Sequence, residues 1–389
     1  MEEQISLVLF ALLRSALTGE KITEDERNAF SSDMLYDLLN TAFKHDLIHL
    51  IAFALKENGL LSDEHSEVEK HIFNAVFRCV QLESEYDNLC KILEETKTPF
   101  LPLKGSVIRK HYPETWMRTS SDIDILVHYE DIDKVVPVLI EKNGYKYDAT
   151  TSHDVSLLAP NEMHVELHFD LMEEGIANES SSVLKNVWEM AKIKEGYSYW
   201  HELSDEVYYF YHIAHMAKHF ENGGCGIRPF IDLWILDNMK GYDLEKRNAI
   251  LAEGGILKFA EAARKLKSVW FQNCEYDELS KQMENYILYG GVYGTRNNRI
   301  AVQQQKHGGT FRYLLLKVFV PYDVLKGHYP ILYKHRWLMP FMSVRRWCKI
   351  IFRGHTKRVM DELKYYNYVA KNETETMKKF LSDIGLKAK

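Results

Sequence analysis

The sequence predicts an α+β protein, in which a small mixed β-sheet core is flanked by an N-terminal and a C-terminal helical region. Three observations support this prediction. Apolar residues recur at helical spacing over residues 1–95, apolar and polar residues alternate at strand spacing within residues 96–175, and helical spacing returns over residues 176–389. A chain of 389 residues also exceeds the usual size of one compact core, so we expect three parts with these bounds.

The N-terminal region carries start and stop signals for helices. Residues 34–43 place apolar side chains three and four positions apart. Ser31-Ser32-Asp33 can accept hydrogen bonds from the free amides of a following helix, and Asn58-Gly59 marks the end of a helix over residues 47–56. These signals predict a helical domain.

Residues 99–128 mark the change from helices to strands. Residues 99–103 are apolar, short and proline-flanked, which favours a buried strand over another helical turn. Residues 121–128 read SDIDILVH, where apolar side chains alternate with Asp122 and Asp124. This alternation predicts a strand with one apolar face and one acidic face.

The remainder of the core is predicted to contain a helix and a hairpin. Helical spacing runs over residues 131–142 and ends at Asn143-Gly144. Residues 155–158 and 163–169 are further strand candidates, and the turn-like residues 159–162 separate them. We expect these two strands to pair with each other.

Three carboxylates on the polar faces of these strands are the candidate catalytic residues and metal ligands. Asp122 and Asp124 lie two positions apart on one strand and therefore project from the same face. In residues 164–171, HVELHFDL, Glu166 alternates with apolar side chains and should face the two aspartates. Magnesium prefers hard oxygen ligands on a rigid element. Two Mg²⁺ ions roughly 4 Å apart would fix positive charge on both sides of a phosphorus atom, as nucleotidyl transfer requires.

A Gly-Ser turn precedes the acidic strand. Gly105 and Ser106 lie between the first predicted strand and a helix predicted over residues 107–112. Glycine permits close approach of the backbone, and free amides at a helix start can hold a triphosphate together with the serine hydroxyl. Lys104 and Arg118 can add charged contacts to the same phosphates.

The segment from residue 99 to 128 resembles the nucleotidyltransferases of the DNA polymerase beta superfamily, whose signature is Gly-Ser, a spacer, Asp-Ile-Asp and a distant acid. More narrowly, LPLKGSVIRKHYPETWMRTSSDIDILV looks like a bacterial nucleotidyltransferase family that carries Leu-Lys-Gly and then Arg before Ser-Asp-Ile-Asp. The resemblance continues to residue 170 and, more weakly, into HIAHMAKHF and IRPFIDLWILD.

The resemblance implies a nucleotidyltransferase core and transfer of an NMP unit from an NTP, with release of pyrophosphate, to an acceptor that the sequence does not identify. It implies phosphate contacts for Gly105 and Ser106, and binding of Mg²⁺, with Mn²⁺ as a substitute ion, by Asp122, Asp124 and Glu166. Two alternatives stay open. One is a catalytically inactive nucleotide-binding scaffold, and the other is a toxin-like enzyme that modifies tRNA or protein.

Further polar residues have a structural and a functional interpretation. His168 shares the strand face of Glu166, where it can orient the acceptor, assist proton transfer or hydrogen-bond a carboxylate. Arg228 and Asp232 are four positions apart on a predicted helix, so an intrahelical ion pair is the default interpretation, and a place in the cleft is the alternative.

Three histidines lie on one predicted helical stripe, at positions 212, 215 and 219. This spacing is compatible with a second metal site, but no clustered cysteine or acid completes it. A polar helix face is the favoured interpretation, and His215 and His219 remain candidates for substrate contact.

Composition excludes several other classes of protein. With 46% hydrophobic and 27% charged residues, the chain has no disorder signature. Its five cysteines are scattered without a CxxC pair, so we expect neither a disulfide framework nor a zinc knuckle. The start of the sequence lacks the features of a secretory leader, and no apolar run reaches the roughly 18 to 20 residues that span a bilayer. We therefore expect a cytoplasmic protein without a transmembrane segment.

The charge distribution is uneven. The net charge is −7, yet residues 301–360 hold twelve Lys or Arg residues, a single acid, Asp323, and ten aromatic residues. Stacking on nucleic acid and docking at an anionic membrane are two interpretations of this segment. The bases are dispersed through apolar helices, so we favour a third interpretation, contact with the acidic remainder of the chain.

Overall fold

A computed structural model describes residues 2–61, 66–171, 180–291, 331–352 and 374–386, together with positions 319, 320, 322, 325 and 329. A five-stranded mixed sheet lies in the chain between two helical regions, so the predicted α+β class is confirmed. Within these residues no helix combines the length and the apolar character needed to cross a membrane.

The N-terminal region is helical, as predicted. Its helices are α1 Glu2–Thr18, α2 Glu24–Ala29, α3 Leu35–Lys44, α4 Ile48–Glu57 and α5 Ser66–Glu95. Helix α4 ends with Asn58 as its C-cap residue, next to the predicted stop at Gly59. The Asn58 side chain donates to Ser15 Oγ of α1 at 2.8 Å, so the residue that ends one helix also joins it to another.

The central sheet of the core contains five strands. Its strands are β1 Phe100–Pro102, β2 Asp122–Val127, β3 Lys146–Thr150, β4 Asp154–Leu158 and β5 His164–His168. They lie in the order β1-β2-β5-β4-β3. Only β2 and β5 run parallel; the other neighbours are antiparallel, and β4 with β5 is the predicted hairpin.

Helix α7, Tyr129–Asn143, connects β2 to β3. It ends where Gly144 adopts a left-handed backbone, with φ of 74°, a conformation that glycine adopts without strain. Val135 and Leu139 of α7 pack with Leu89 and Leu93 of α5 in the buried cluster that includes the apolar side chains of β2 and β5. One sheet face is therefore buried under helices, and the polar face of β2 and β5 is left for the site.

The helix after β1 differs from the prediction. A helix was expected over residues 107–112, but α6 spans Lys104–Ile108 and a 3-10 turn, Arg109–His111, follows it. Pro113 explains the early end, because the residue before a proline disfavours helical backbone, and Tyr112 is extended with ψ of 157°. The Gly-Ser pair thus lies inside the first helical turn.

The C-terminal region contains more helices and one small sheet. Its helices up to residue 290 are α8 Ser180–Lys185, α9 Val187–Met190, α10 Asp205–Glu221, α11 Arg228–Asn238, α12 Leu244–Glu253, α13 Leu257–Gln272 and α14 Glu278–Gly290. The small sheet pairs β6 Lys192–Ile193 with β7 His201–Glu202. Two-residue strands are too short to show alternation, so the sequence did not predict them.

The chain divides into two compact units, Met1–Lys218 with Gly226–Val292, and His219–Cys225 with Tyr293–Lys389. The first unit holds the five-stranded sheet and the helices around it. Described helices of the second unit are α15 Ile331–Lys334, α16 Met339–Phe352 and α17 Thr374–Asp383. Residues 301–318 and 353–360 of the basic segment lie outside the described residues.

Candidate active site

The acidic cluster is built by the parallel pairing of β2 and β5. Asp124 lies directly opposite Glu166, and Asp122 lies opposite His164. Because side chains alternate along both strands, Asp122, Asp124 and Glu166 occupy one face of the sheet. Burial and the nearby charges of Asp124 and Glu166 raise the pKa of Asp122, which places all three carboxylates within electrostatic reach of one another.

Asp124 is the buried centre of this cluster. Its side chain is 2% exposed, and its Oδ1 accepts from Lys104 Nζ at 2.7 Å and from His168 Nε2 at 2.8 Å. Burial disfavours the charged carboxylate, but the Lys104 ammonium and the His168 hydrogen bond hold the pKa of Asp124 well below its usual range. Asp124 is therefore an anion that accepts from the Lys104 ammonium and from the His168 ring.

His168 contacts both Asp124 and Glu166. Its Nε2 lies 3.3 Å from Glu166 Oε2 and 2.8 Å from Asp124 Oδ1. Burial alone would lower the pKa of His168, but the hydrogen bonds to Asp124 and Glu166 raise it. His168 thus makes the hydrogen bond to a carboxylate that was one of the roles expected for it.

A cation site can be assembled from these side chains. Asp124, Glu166 and His168 offer ligand atoms that all lie within 4.8 Å of one another. In the part of the chain that the structure describes, it is the one group of three or more potential ligands that converge in this way. The two carboxylates suit a divalent cation such as Mg²⁺ or Mn²⁺, whereas the imidazole of His168 is a ligand that softer metal ions prefer. Asp122 lies outside this group, two positions along the same strand face.

Lys104, whose side chain contacts Asp124, has a strained backbone conformation. Its φ of 44° lies in the left-handed region, which is unfavourable for a residue with a side chain, and such strain persists only where the surroundings enforce it. Its carbonyl oxygen accepts from Tyr208 Oη at 2.9 Å. Burial disfavours its charge, but Asp124 raises the pKa of Lys104, so it remains an ammonium.

Gly105 and Ser106 lie beside Lys104 in α6. A Cβ atom on Gly105 would come 2.7 Å from Ser120 Oγ, so glycine leaves room for that hydroxyl. Ser106 Oγ is buried and has no hydrogen-bond partner among the described residues. A buried hydroxyl without a partner is uncommon, and a bound anion would supply one.

Arg118 lies in a buried ion pair. Its Nε and Nη2 donate to Asp232 Oδ1 and Oδ2 at 2.7 and 2.8 Å, and its Nη1 donates to the Thr119 carbonyl at 2.6 Å. Tyr112 Oη also donates to Asp232, at 2.6 Å. Burial opposes both charges, but their mutual attraction raises the pKa of Arg118 and lowers that of Asp232. Each nitrogen of the Arg118 guanidinium therefore has a partner within the protein.

Arg228 pairs with Asp46 at the α3–α4 turn, and not with Asp232. The intrahelical pair expected from the spacing of Arg228 and Asp232 is replaced by two contacts with residues far away in the sequence. Both carboxylate oxygens of Asp232 already accept from Arg118 in a bidentate geometry, with two parallel hydrogen bonds.

The predicted histidine stripe lies on α10. His212 Nε2 contacts the Pro229 carbonyl oxygen at 2.9 Å, and burial lowers the pKa of His212. The ring of His215 lies 6.2 Å from that of Tyr211, and His219 follows near the end of α10. These histidines are not part of the convergent ligand group found in the described residues.

Tyr211 is a site residue that the sequence did not predict. It is 5% exposed, and burial and the carboxylates of Asp124, Asp122 and Glu166 raise its pKa, although Lys104 lowers it. Tyr211 on α10 therefore lies within electrostatic reach of the acidic face of the sheet. The spacing of Tyr208, Tyr211 and His215 gives one helical stripe, but no sequence signal links that stripe to β2.

Comparison with known proteins gives one match. Residues 34–272, more than half of the chain, match a family described as uncharacterised nucleotidyltransferase. The match includes the whole five-stranded sheet, the acidic cluster and the Arg118–Asp232 pair. The chain matches no curated protein and no solved structure.

Proposed function

The chain belongs to this family of uncharacterised nucleotidyltransferases, and on that premise we propose that it transfers an NMP unit from an NTP to a hydroxyl-bearing acceptor and releases pyrophosphate. The observation that carries the proposal is the placement of Asp124 opposite Glu166 on the only parallel strand pair of the sheet, with Lys104 and His168 against Asp124. Asp124 is buried and Glu166 is partly exposed, so positive charge near the pair offsets the cost of holding two carboxylates close together.

Asp122, Asp124 and Glu166 are the proposed ligands of two divalent cations, Mg²⁺ or, as a substitute, Mn²⁺. Such ions supply positive charge that activates an attacking hydroxyl and stabilises a pentavalent phosphorus. The sheet positions the three acids before any ion arrives, because β2 and β5 are fixed by their backbone hydrogen bonds. His168 keeps Asp124 and Glu166 oriented through its two contacts.

The α6 turn is the proposed site for the triphosphate. Gly105 allows close approach, Ser106 Oγ offers a free hydroxyl, and Lys104 offers a positive charge. We assign Arg118 to positioning: its pair with Asp232 fixes the segment between the turn and β2, and its charge adds to the field at the phosphates.

Lys104 is proposed to change partners during binding. In the structure the Lys104 ammonium lies 2.7 Å from Asp124 Oδ1 and neutralises it. A triphosphate in the turn would give Lys104 a phosphate oxygen in place of Asp124 and leave that carboxylate free to bind a cation. Nucleotide and cation would then bind cooperatively.

Replacing Lys104 with Met tests this exchange. We expect Lys104→Met to bind Mn²⁺ at least about tenfold more tightly than the wild type in the absence of nucleotide, because a charged contact worth about 1.5–3 kcal/mol no longer competes. Electron paramagnetic resonance of free Mn²⁺ measures the affinity directly. Lys134→Met, on the exposed surface of α7, is the matched control. Equal or weaker Mn²⁺ binding by Lys104→Met would contradict the exchange.

Removing the Ser106 hydroxyl tests the phosphate turn. Because Ser106 Oγ has no hydrogen-bond partner in the described structure, Ser106→Ala should leave the melting temperature unchanged. Loss of one hydrogen bond to a charged phosphate should weaken NTP binding about tenfold, as measured by calorimetry with a non-hydrolysable NTP.

Ser280→Ala provides the contrast for this substitution. The Ser280 hydroxyl accepts from the amide of Asp277 at the start of α14, so its loss should lower the melting temperature and leave NTP affinity unchanged. If Ser106→Ala destabilises the protein or binds NTP normally, Ser106 is not a phosphate ligand.

The acceptor and the preferred base require a direct screen. Labelled ATP, CTP, GTP and UTP are incubated with Mg²⁺ and with small molecules, RNA or protein, and the double variant Asp122→Asn/Asp124→Asn serves as the control. Label that moves to a hydroxyl compound supports the proposal. Tight binding with every NTP left intact would establish the scaffold alternative, and label retained on tRNA or protein would establish the toxin-like enzyme.

A cytoplasmic location is also proposed. The five cysteines are free thiols, and Cys274 and Cys348 are exposed. Exposed thiols persist in a reducing compartment.

A further inference from the structure

The second compact unit presents an exposed apolar ridge. Trp337, Phe341 and Val344 are 70%, 62% and 51% exposed, and Cys348 is exposed as well. Their spacing of four, three and four positions puts them on one stripe that begins in the 3-10 turn Arg336–Leu338 and continues along α16. Water contact with two large aromatic rings is unfavourable, so this ridge is suited to a partner.

The charged residues of the segment that carries the ridge have a single sign. Residues 331–352 contain five Lys or Arg residues and no Asp or Glu, although the whole chain carries a net charge of −7. Arg336 and Arg345 are exposed next to the ridge, and the Arg336 guanidinium lies 4.7 Å from the centre of the Tyr322 ring. The partner should therefore be negatively charged and also able to accept apolar side chains.

We propose that this ridge, Trp337, Phe341, Val344 and Cys348, docks on the surface of an anionic phospholipid bilayer. The apolar side chains would enter the boundary between headgroups and acyl chains, and the flanking arginines would contact lipid phosphates. Helix α16 has 14 residues, too few to cross a bilayer, which fits a helix that lies in the interface.

The ring geometry favours a bilayer over nucleic acid. The Trp337 and Phe341 rings meet edge to face, with centroids 6.3 Å apart and planes at 84°. Stacking on successive bases needs parallel ring faces open on the same side, whereas this pair forms one compact apolar ridge with Val344 beside it.

Vesicle binding tests the proposal on the full chain. The protein is sedimented with vesicles of phosphatidylglycerol and phosphatidylcholine, and separately with vesicles of phosphatidylcholine alone. We expect binding to the anionic vesicles that weakens as salt is added. Trp337→Ser/Phe341→Ser should lower the partition coefficient at least about tenfold, since each ring loses its burial in the interface.

Two controls make the test specific. Phe73→Ser removes an aromatic ring that is also 70% exposed but lies on α5, and it should leave vesicle binding unchanged. The rings of Trp337, Phe341 and Phe73 are all exposed, so both variants should keep the wild-type melting temperature. No sedimentation with anionic vesicles, or unchanged sedimentation of Trp337→Ser/Phe341→Ser, overturns the proposal. RNA binding that depends on the same rings, with no vesicle binding, would overturn it in favour of a nucleic-acid surface.

Discussion

Asp124→Asn should lower the rate of Mg²⁺-dependent pyrophosphate release by at least about a thousandfold. A cation that stabilises the transition state contributes several kcal/mol, and each 1.36 kcal/mol corresponds to about tenfold in rate. Asn keeps the size of Asp124 but not the negative charge that pairs with Lys104. The measurement is release of pyrophosphate from the NTP and acceptor identified by the screen.

A second readout separates loss of cation binding from loss of fold. Binding to the native state stabilises it, so Mn²⁺ with a non-hydrolysable NTP should raise the melting temperature of the wild type but not that of Asp124→Asn. Asp148→Asn is the control, because Asp148 is an exposed acid on β3 of the same sheet. Wild-type turnover in Asp124→Asn would refute the assignment of Asp124 as a cation ligand.

Arg118→Met should destabilise the protein by about 3–5 kcal/mol, because it leaves the Asp232 carboxylate buried without its cation. Side-chain exposures of 10% for Arg118 and 4% for Asp232 leave little solvent to compensate. Urea unfolding measures the loss. The exposed pair of Lys246 and Asp243 gives the comparison, and Lys246→Met should cost far less than Arg118→Met.

A double variant tests the origin of that loss. If the cost comes from the unpaired carboxylate, Arg118→Met/Asp232→Leu should be more stable than Arg118→Met, because both buried charges are gone. Additive losses in the double variant would instead mean that Arg118 and Asp232 act independently.

Local patterns in the sequence predicted the strands and the facing of their side chains. Side chains along β2 and β5 alternate between the two faces of the sheet, and the apolar side chains identify the buried face. Asp124 and Glu166 could therefore both be placed on the opposite face. The nucleotidyltransferase resemblance of residues 99–128 is confirmed by the family match. The catalytic and binding roles of the individual residues stay predictions, as do the two domain bounds at residues 95 and 175.

Long-range contacts were not predictable from spacing. Arg118 and Asp232 are 114 positions apart, and Tyr211 reaches the acids from a helix far along the chain. The contact of Lys104 with Asp124 depends on a left-handed residue that no local rule assigns to lysine. Each of these contacts depends on how whole helices and strands pack against one another. The local spacing of residues in a single sequence does not specify that packing.

The loop that leads into β2 contacts helices from the start of the chain. Thr119 Oγ1 donates to Asp46 Oδ2 at 3.3 Å, and His49 Nε2 contacts the Met117 carbonyl oxygen at 3.1 Å. A fragment that began at residue 96 would lose both anchors and expose the apolar surface that α5 covers. We therefore expect the nucleotidyltransferase core to require the N-terminal helices, so point substitutions are better suited than truncations to test its residues.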